Sequence, residues 1–82
     1  MITVKFFGLL SVNYAIKKIE MKEGKVQDVL NQVIRLYPEI TEKQLKQSIM
    51  IINQKQVSEN KRFAIELQSG DELVFLNPSS GG

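Results

Sequence analysis

VQDVLNQVIRLYP, residues 26–38, predicts an amphipathic helix around which the other segments must be arranged. Its apolar residues recur at spacings of three, four and seven, the period of a helix with one buried face. They are Val26, Val29, Leu30, Val33, Ile34 and Tyr37. Pro38 ends the helix, because its ring disfavours helical geometry at the preceding residue and it has no N–H to donate. The apolar stripe has to be buried against another element, so the flanking segments determine the architecture.

Two strands are predicted before the helix. ITVKFF (Ile2–Phe7) alternates in the period of a strand with one buried face. Gly8 permits a turn, and IKKIEMK (Ile16–Lys22) places Ile19 and Met21 between charged neighbours. This segment therefore predicts a second strand that forms a hairpin with the first.

Shorter elements are predicted directly after the helix. TEKQLKQ (Thr41–Gln47) favours a short helical turn capped by Thr41. SIMIIN (Ser48–Asn53) has apolar residues at both odd and even positions, so both faces of a strand here would be apolar. This pattern is typical of an interior strand or of one whose outer face is also covered. The residues Asn53-Gln54-Lys55 predict a tight turn into a short segment, Gln56–Ser58.

The last third of the chain predicts a final strand that follows a glycine turn. FAIEL (Phe63–Leu67) is interpreted as a connecting strand or turn. In SGD (Ser69–Asp71), Gly70 is expected at positive φ. ELVFL (Glu72–Leu76) then predicts the last strand.

This order of elements predicts an α+β fold. A hairpin, a helix and further strands are most compact when the helix lies across one face of a mixed sheet, with the first and last strands as central neighbours. The right-handed crossover rule favours parallel pairing of strands linked through the helix. This arrangement is the β-grasp, or ubiquitin-like, layout. We expect residues 1–76 to form a single β-grasp domain and residues 77–82 to form a flexible tail.

Composition restricts the chemistry available to this chain of 82 residues. Cysteine and histidine are both absent, which excludes disulfides, thiolate chemistry, imidazole acid–base catalysis and the usual zinc ligands. The net charge is +2, and Glu20 and Glu23 interrupt the densest lysine group, so no nucleic acid is expected as a partner. No apolar run approaches the ~18 residues of a membrane span. We therefore predict a cytoplasmic protein with no membrane partner, no metal and no bound cofactor.

The sequence ends in NPSSGG, which predicts a reactive tail. Pro78 stiffens its exit, and the segment from Leu76 to Gly82 can reach roughly 20 Å into another protein. Gly81 lets the backbone pass a narrow channel. The carboxylate of Gly82 is a poor electrophile until it is activated, most simply as an acyl adenylate. The chain has no phosphate-binding loop for ATP, so the activating enzyme must be a partner.

Three stretches together resemble the small subunit of molybdopterin synthase, the MoaD group of ubiquitin-like sulfur carriers. They are MITVKFFG (residues 1–8), INQKQVS (residues 52–58) and SGDELVFLNPSSGG (residues 69–82). The resemblance spans essentially the whole chain, and the Gly-Asp-Glu strand leading to Gly-Gly is its most specific part.

The resemblance implies a sulfur carrier for molybdenum cofactor biosynthesis, which is a subunit and co-substrate and not an enzyme alone. A ubiquitin-activating-type adenylyltransferase, of the MoeB type, would use ATP to adenylate Gly82. The adenylate would become a thiocarboxylate, and sulfur would be delivered to the pterin precursor inside the large synthase subunit, of the MoaE type.

Outward-facing apolar residues of the first and last strands predict a docking surface beside the tail. If Leu73 and Phe75 face the core, then Val74 and Leu76 face away from it, as does Phe7 in the first strand. Because the first and last strands are expected to be neighbours, these three residues would form an exposed apolar patch that marks a protein interface. We predict that Phe7, Val74, Leu76, Pro78 and Gly81 bind partners and that Gly82 is the site of chemistry.

Two alternatives remain at this level. A carrier of the same fold could supply sulfur for thiazole or tRNA thiolation, or could be a protein modifier joined to lysines. A protein of another class, a non-catalytic β-grasp interaction module, would have an incidental Gly-Gly end. Thiazole carriers tend to be shorter, which favours the molybdopterin interpretation.

Overall fold

The computed structural model describes residues 1–8 and 17–77 of the chain. The main strands and helices follow the predicted order, and a short strand before the first helix and a 3-10 helix are additional. In chain order they are β1 (Ile2–Gly8), β2 (Lys18–Met21), β3 (Gly24–Lys25), α1 (Val26–Leu36), α2 (Glu42–Gln47), β4 (Ile49–Ile52), β5 (Lys55–Val57), a 3-10 helix (Asn60–Ala64), β6 (Glu66–Leu67) and β7 (Glu72–Asn77). Within the described ranges, no helix has the length and apolar character needed to cross a membrane.

The main sheet is mixed and has the strand order β2-β1-β7-β4-β5. β1 and β2 are antiparallel, as the predicted hairpin requires. β1 and β7 are parallel neighbours at the centre of the sheet, and β4 lies antiparallel on the other side of β7. A second, two-stranded sheet joins β3 to β6. The α+β class and the β-grasp arrangement are therefore confirmed.

Helix α1 buries the stripe that the sequence predicts. Val26, Val29, Leu30 and Val33 are buried, and Ile34 and Tyr37 pack against the same core as partly buried residues. The helix ends at Leu36, because Tyr37 before Pro38 has already left the helical region at φ −131°. At its start the Lys25 backbone N–H donates to Asp28 Oδ2 at 3.2 Å, which places a carboxylate against the positive end of the helix dipole.

The core lies between α1 and one face of the main sheet. Phe6 of β1 and Phe75 of β7 are fully buried at its centre, and their rings stack with centroids 5.6 Å apart. Met50 of β4 is the register partner of Phe75 and is also buried. β1 and β7 thus each place a phenyl ring at the same position along the sheet, and the two rings pack together beneath the helix.

The capping and turn predictions after the helix are confirmed. Gln44 N–H donates to Thr41 Oγ1 at 3.1 Å and Thr41 N–H donates to Gln44 Oε1 at 2.9 Å, a reciprocal capping box at the start of α2. Asn53 and Gln54 form a two-residue hairpin loop with φ of 49° and 72°. Gly70 has a φ of 91°, as expected for its turn.

Two regions differ more than the others from the sequence prediction. Phe63–Leu67 is neither one strand nor a simple turn: Asn60–Ala64 is a 3-10 helix, and only Glu66–Leu67 is a strand, which pairs with β3. The predicted tail, residues 77–82, overlaps the last strand by one residue. Asn77 belongs to β7 because it is in register with Gly8 of β1.

Candidate functional site

The predicted site has two parts, a tail and the sheet surface from which the tail leaves. Pro78, Gly81 and Gly82 lie outside the described residues, so their roles stay predictions. Phe7, Val74 and Leu76 lie on β1 and β7, the two central strands. The structure therefore describes the surface next to the tail.

An apolar row crosses the outer face of the sheet at the end where β7 leads into the tail. Phe7 of β1 is the register partner of Leu76, and Leu76 is the register partner of Ile49 in β4. Because side chains alternate along a strand, these three residues lie on the face opposite Phe6 and Phe75. None of the three belongs to the hydrophobic core cluster. We call Phe7, Leu76 and Ile49 the outer row.

The outer row is accessible. Phe7 is 51% exposed, which is unusual for a large aromatic side chain, and Leu76 and Ile49 are half-buried. An exposed phenyl ring between two partly covered aliphatic side chains is a feature of protein-binding surfaces, since such rings supply much contact area at little entropic cost.

The expectation that Val74 is exposed is wrong. Val74 lies on the outer face, as its parity predicts, and it is absent from the core cluster. It is nevertheless only 6% exposed, because β7 is a central strand and Val74 is flanked in register by Lys5 on one side and Ile51 on the other. Val74 therefore offers little surface to a partner and lies beside Leu76 of the outer row, on the same face of β7.

Ile49 and Ile51 are surface residues that the sequence prediction of the patch did not include. Both lie on the outer face of β4, opposite Met50, and both are half-buried. The signal that could have identified them is the apolar character of Ser48–Asn53 on both parities, which already indicated a strand with two covered faces.

Charged residues bound the apolar surface away from the tail. Lys5 Nζ lies 2.8 Å from Glu72 Oε2, with each side chain about a third exposed. Thr3 is the register partner of Glu72 in the next row. The outer face thus changes from apolar near the tail to ionic at the far end of the same strands.

Asp71 is bonded within the turn that precedes β7. Asp71 Oδ2 accepts a bond from Gln68 N–H at 2.7 Å, and Asp71 Oδ1 accepts one from Asn53 Nδ2 at 3.0 Å. The hydrogen bond from the Gln68 backbone, followed by that from Asn53, lowers the pKa of Asp71 below its ordinary value of 3.8. Asp71 is therefore a turn residue, as predicted. Among residues 1–8 and 17–77, no three acidic side chains are arranged to hold a metal ion.

A pocket of about 300 Å³ lies between α1 and β2, the strand at one edge of the main sheet. Met21, Val29 and Leu36 contribute its apolar walls, and Glu20 and Asp28 contribute acidic groups to its lining. None of the predicted site residues lines it. The pocket is thus separate from the surface beside the tail.

The sequence profile of the ThiS family matches residues 4–82, which include nearly the whole chain and its Gly-Gly end. No functionally curated protein shows significant similarity to the sequence.

Solved structures of small β-grasp proteins are similar to this chain. The small archaeal modifier protein 1 (SAMP1) of Methanosarcina acetivorans is 24% identical with a TM-score of 0.79, and the match covers 99% of this chain and 95% of that one. CysO, in the BexX/CysO complex of Amycolatopsis orientalis, is 21% identical with a TM-score of 0.72 and full coverage of both chains. A putative molybdopterin converting factor, subunit 1, from Pyrococcus furiosus is 20% identical with a TM-score of 0.64, covering 94% and 95%.

Proposed function

This chain belongs to the ThiS family, and from that membership we propose that it is a sulfur carrier for molybdenum cofactor biosynthesis. It has the fold of a small ubiquitin-like sulfur carrier, and we propose that it is not an enzyme by itself. In the proposed role it is the small subunit of molybdopterin synthase and the sulfur-donating co-substrate of that enzyme.

The chemistry is proposed to take place at the carboxylate of Gly82. One carboxylate oxygen attacks the α-phosphorus of ATP, which forms an acyl adenylate and releases pyrophosphate. Hydrosulfide then attacks the activated carbonyl and displaces AMP, which leaves a thiocarboxylate. The partner enzyme binds ATP, since this chain contains no phosphate-binding loop. Gly81 provides passage through a narrow channel, and Pro78 stiffens the start of the tail.

The observation that carries the proposal is the extent of the family match. The match runs to residue 82, so the Gly-Gly end is part of the shared pattern. The position of the outer row supports the same conclusion, because a partner that binds Phe7 and Leu76 is adjacent to the first residues of the tail.

Two partners are proposed, a MoeB-type adenylyltransferase and a MoaE-type large catalytic subunit. CysO is a protein of this fold that was solved in a complex with BexX, and another neighbour is described as a molybdopterin converting factor subunit. Both descriptions support association with a larger enzyme. The outer row, with Val74 beside it on the same face, is the proposed docking surface for either partner.

The test is the intact mass of the chain after incubation with ATP, sulfide and a MoeB-type enzyme. The wild-type chain should gain the mass difference between sulfur and oxygen. A chain without Gly82 is shorter by about 3.5 Å and should stay unmodified, because a misplacement of even 1 Å costs about a hundredfold in rate. A chain extended beyond Gly82 should also stay unmodified. Thiolation of the shortened chain at the wild-type rate would contradict the proposal.

A second candidate function is conjugation to proteins. It is favoured by the description of one neighbour as a small archaeal modifier protein. The two functions share the adenylate and differ in the nucleophile, which is sulfide in one case and a lysine amine in the other. Incubation with ATP, sulfide, the activating enzyme, a MoaE-type subunit and the pterin precursor distinguishes them: conversion of the precursor supports the first, and an isopeptide-linked adduct with no conversion supports the second.

A further inference from the structure

We propose that Gly8, Ser48 and Asn77 form a clamp at the root of the tail and that these are positioning residues for chemistry at Gly82. The clamp holds Asn77, the last residue of β7, from two sides. The inference rests on the proposed function for its catalytic consequence, but the clamp itself is a property of the described residues. We call these three residues the root clamp.

Gly8 forms one side of the clamp. It has a φ of 87° and is the register partner of Asn77 at the end of the parallel β1–β7 ladder. A Cβ atom at this position would overlap the carbonyl oxygen of Asn77 and also approach the Asn77 carbonyl carbon to 2.9 Å. Both contacts are to backbone, which cannot rotate away as a flexible side chain could. The end of β7 therefore has its observed position only because residue 8 has no side chain.

Ser48 forms the other side of the clamp through the Asn77 side chain. Asn77 Nδ2 donates to Ser48 Oγ at 3.5 Å, and Ser48 Oγ donates its own proton to Gln44 O at 2.8 Å. A hydroxyl has one proton to donate, so Ser48 Oγ can only accept from Asn77. Ser48 is 4% exposed, and its backbone N–H is bonded to Leu45 O at 3.1 Å at the end of α2.

Together these contacts connect the root of the tail to two elements that do not move independently of the core. β1 contributes Phe6 to the core, and α2 contributes Leu45. The five residues beyond Asn77 span at most roughly 18 Å, so the position and direction of Asn77 limit the region that Gly82 can reach. A shift of that region lowers the fraction of time that Gly82 is aligned for a reaction whose tolerance is roughly 1 Å.

The chain provides a matched control for Gly8. Gly70 has nearly the same φ, 91°, but no atom lies within 4 Å of the position where its Cβ would be. Gly70→Ala therefore places an L side chain at a similar positive φ without the overlap at Asn77. An effect seen in Gly8→Ala but not in Gly70→Ala is evidence for the root clamp. An effect of equal size in both variants is evidence for backbone strain alone.

The first experiment measures the direction of the tail without any enzyme. Because the chain contains no cysteine, spin labels can be attached specifically at Ser80→Cys and Lys55→Cys, and electron–electron resonance gives the distance distribution between them. We expect Gly8→Ala to shift or broaden the distribution and Gly70→Ala to leave it unchanged. Asn77→Ala should also broaden it, while Gln56→Ala in β5 should not. Identical distributions in all four variants would overturn the clamp.

The second experiment tests the catalytic consequence with the MoeB-type enzyme, ATP and sulfide. Gly8→Ala and Asn77→Ala should lower kcat for thiocarboxylate formation by about tenfold or more and leave KM for the carrier nearly unchanged, because the outer row still docks. Gly70→Ala should keep the wild-type kcat even if its melting temperature falls as far as that of Gly8→Ala. Equal kcat values in the two glycine variants would reject the positioning role.

The two proposals fail in different ways. If the wild-type chain is never thiolated, the proposed function fails, and the spin-label distances still decide whether the root clamp exists. If the wild-type chain is thiolated and the clamp variants match it in both kcat and distance distribution, the proposed function stands and the root clamp is rejected.

Discussion

At the scale of single residues, the hairpin loop between β4 and β5 contains a residue in an unfavourable backbone conformation. Gln54 has a φ of 72°, in the left-handed region that glycine adopts at little cost. Two-residue loops with positive φ at both positions prefer the pair Asn-Gly, and here the pair is Asn53-Gln54. Backbone strain at residue 54 is therefore retained in the folded protein.

Gln54→Gly should raise the free energy of unfolding by roughly 0.5–1 kcal/mol, the net of relieved left-handed strain and added chain entropy. Denaturant unfolding measures the change. Gln56→Gly is the control, because residue 56 lies in β5 and should lose stability by a similar amount. A destabilised Gln54→Gly variant would show that the Gln54 side chain has a compensating role.

Asp71 predicts a pH dependence in the acid range. The hydrogen bond from Gln68 N–H and the bond from Asn53 lower its pKa in the folded state below the ordinary 3.8. A depressed pKa contributes stability that is fully present above the ordinary value and is lost as the pH falls through the lower, folded-state value. The melting temperature of Asp71→Asn should therefore fall less steeply than that of the wild type below about pH 4. Parallel curves for the two proteins would contradict this assignment.

At the scale of elements, helix α1 supplies one side of the core. Leu30→Ala should lower the free energy of unfolding by about 2–5 kcal/mol, because Leu30 is fully buried between the helix and the sheet. Leu36→Ala is the control, since Leu36 belongs to the same helix and is 58% exposed. Thermal unfolding of both variants measures the contrast. An unchanged melting temperature for Leu30→Ala would mean that α1 does not bury its Leu30 face against the sheet.

The element that sequence patterns predicted least well follows β5. The apolar residues Phe63, Ile65 and Leu67 alternate like a strand, yet Asn60–Ala64 is a 3-10 helix. Arg62 lies in that helix and donates to Lys46 O at 2.7 Å, and its guanidinium carbon lies 4.7 Å from the centre of the Phe63 ring. These contacts join the segment to the end of α2, sixteen residues earlier. Local periodicity contains no information about such a partner.

At the scale of the whole molecule, the two faces of the sheet have different roles. One face carries the core, and the outer face carries the outer row beside the tail. Val74→Asp is not a clean test of docking, because a charge at a position only 6% exposed in the central strand would threaten the fold itself. Phe7 is the better position, since half of its side chain is already accessible.

Phe7→Ser should weaken binding to the activating enzyme or to the large subunit by about tenfold or more, because buried aromatic anchors contribute most to interfaces. Its melting temperature should change little. Leu36→Ser is the matched control, because Leu36 is equally exposed but lies on α1, away from the outer row. Calorimetric titration measures both affinities. Equal affinities for the two variants would place the docking surface elsewhere.

The sequence by itself determined the order of the main strands and helices, the buried stripe of α1, the cap at Thr41, the turn at Gly70 and the β-grasp class. These features follow from local periods and from residue types with strong conformational preferences, so each can be predicted from a short window. It also determined which face each residue of β1 and β7 occupies, because strand parity is a local property.

Only the tertiary structure decided how accessible those residues are. Val74 and Phe7 have the same parity, yet Val74 is covered by Lys5 and Ile51 on the adjacent strands, whereas Phe7 lies 51% exposed in the outer row. The contact between Gly8 and Asn77 joins residues that are distant in sequence and depends on the parallel register of β1 and β7. Burial and close approach depend on neighbours from other strands. Those neighbours are set by the strand order and register of the folded sheet, which a local sequence pattern does not specify.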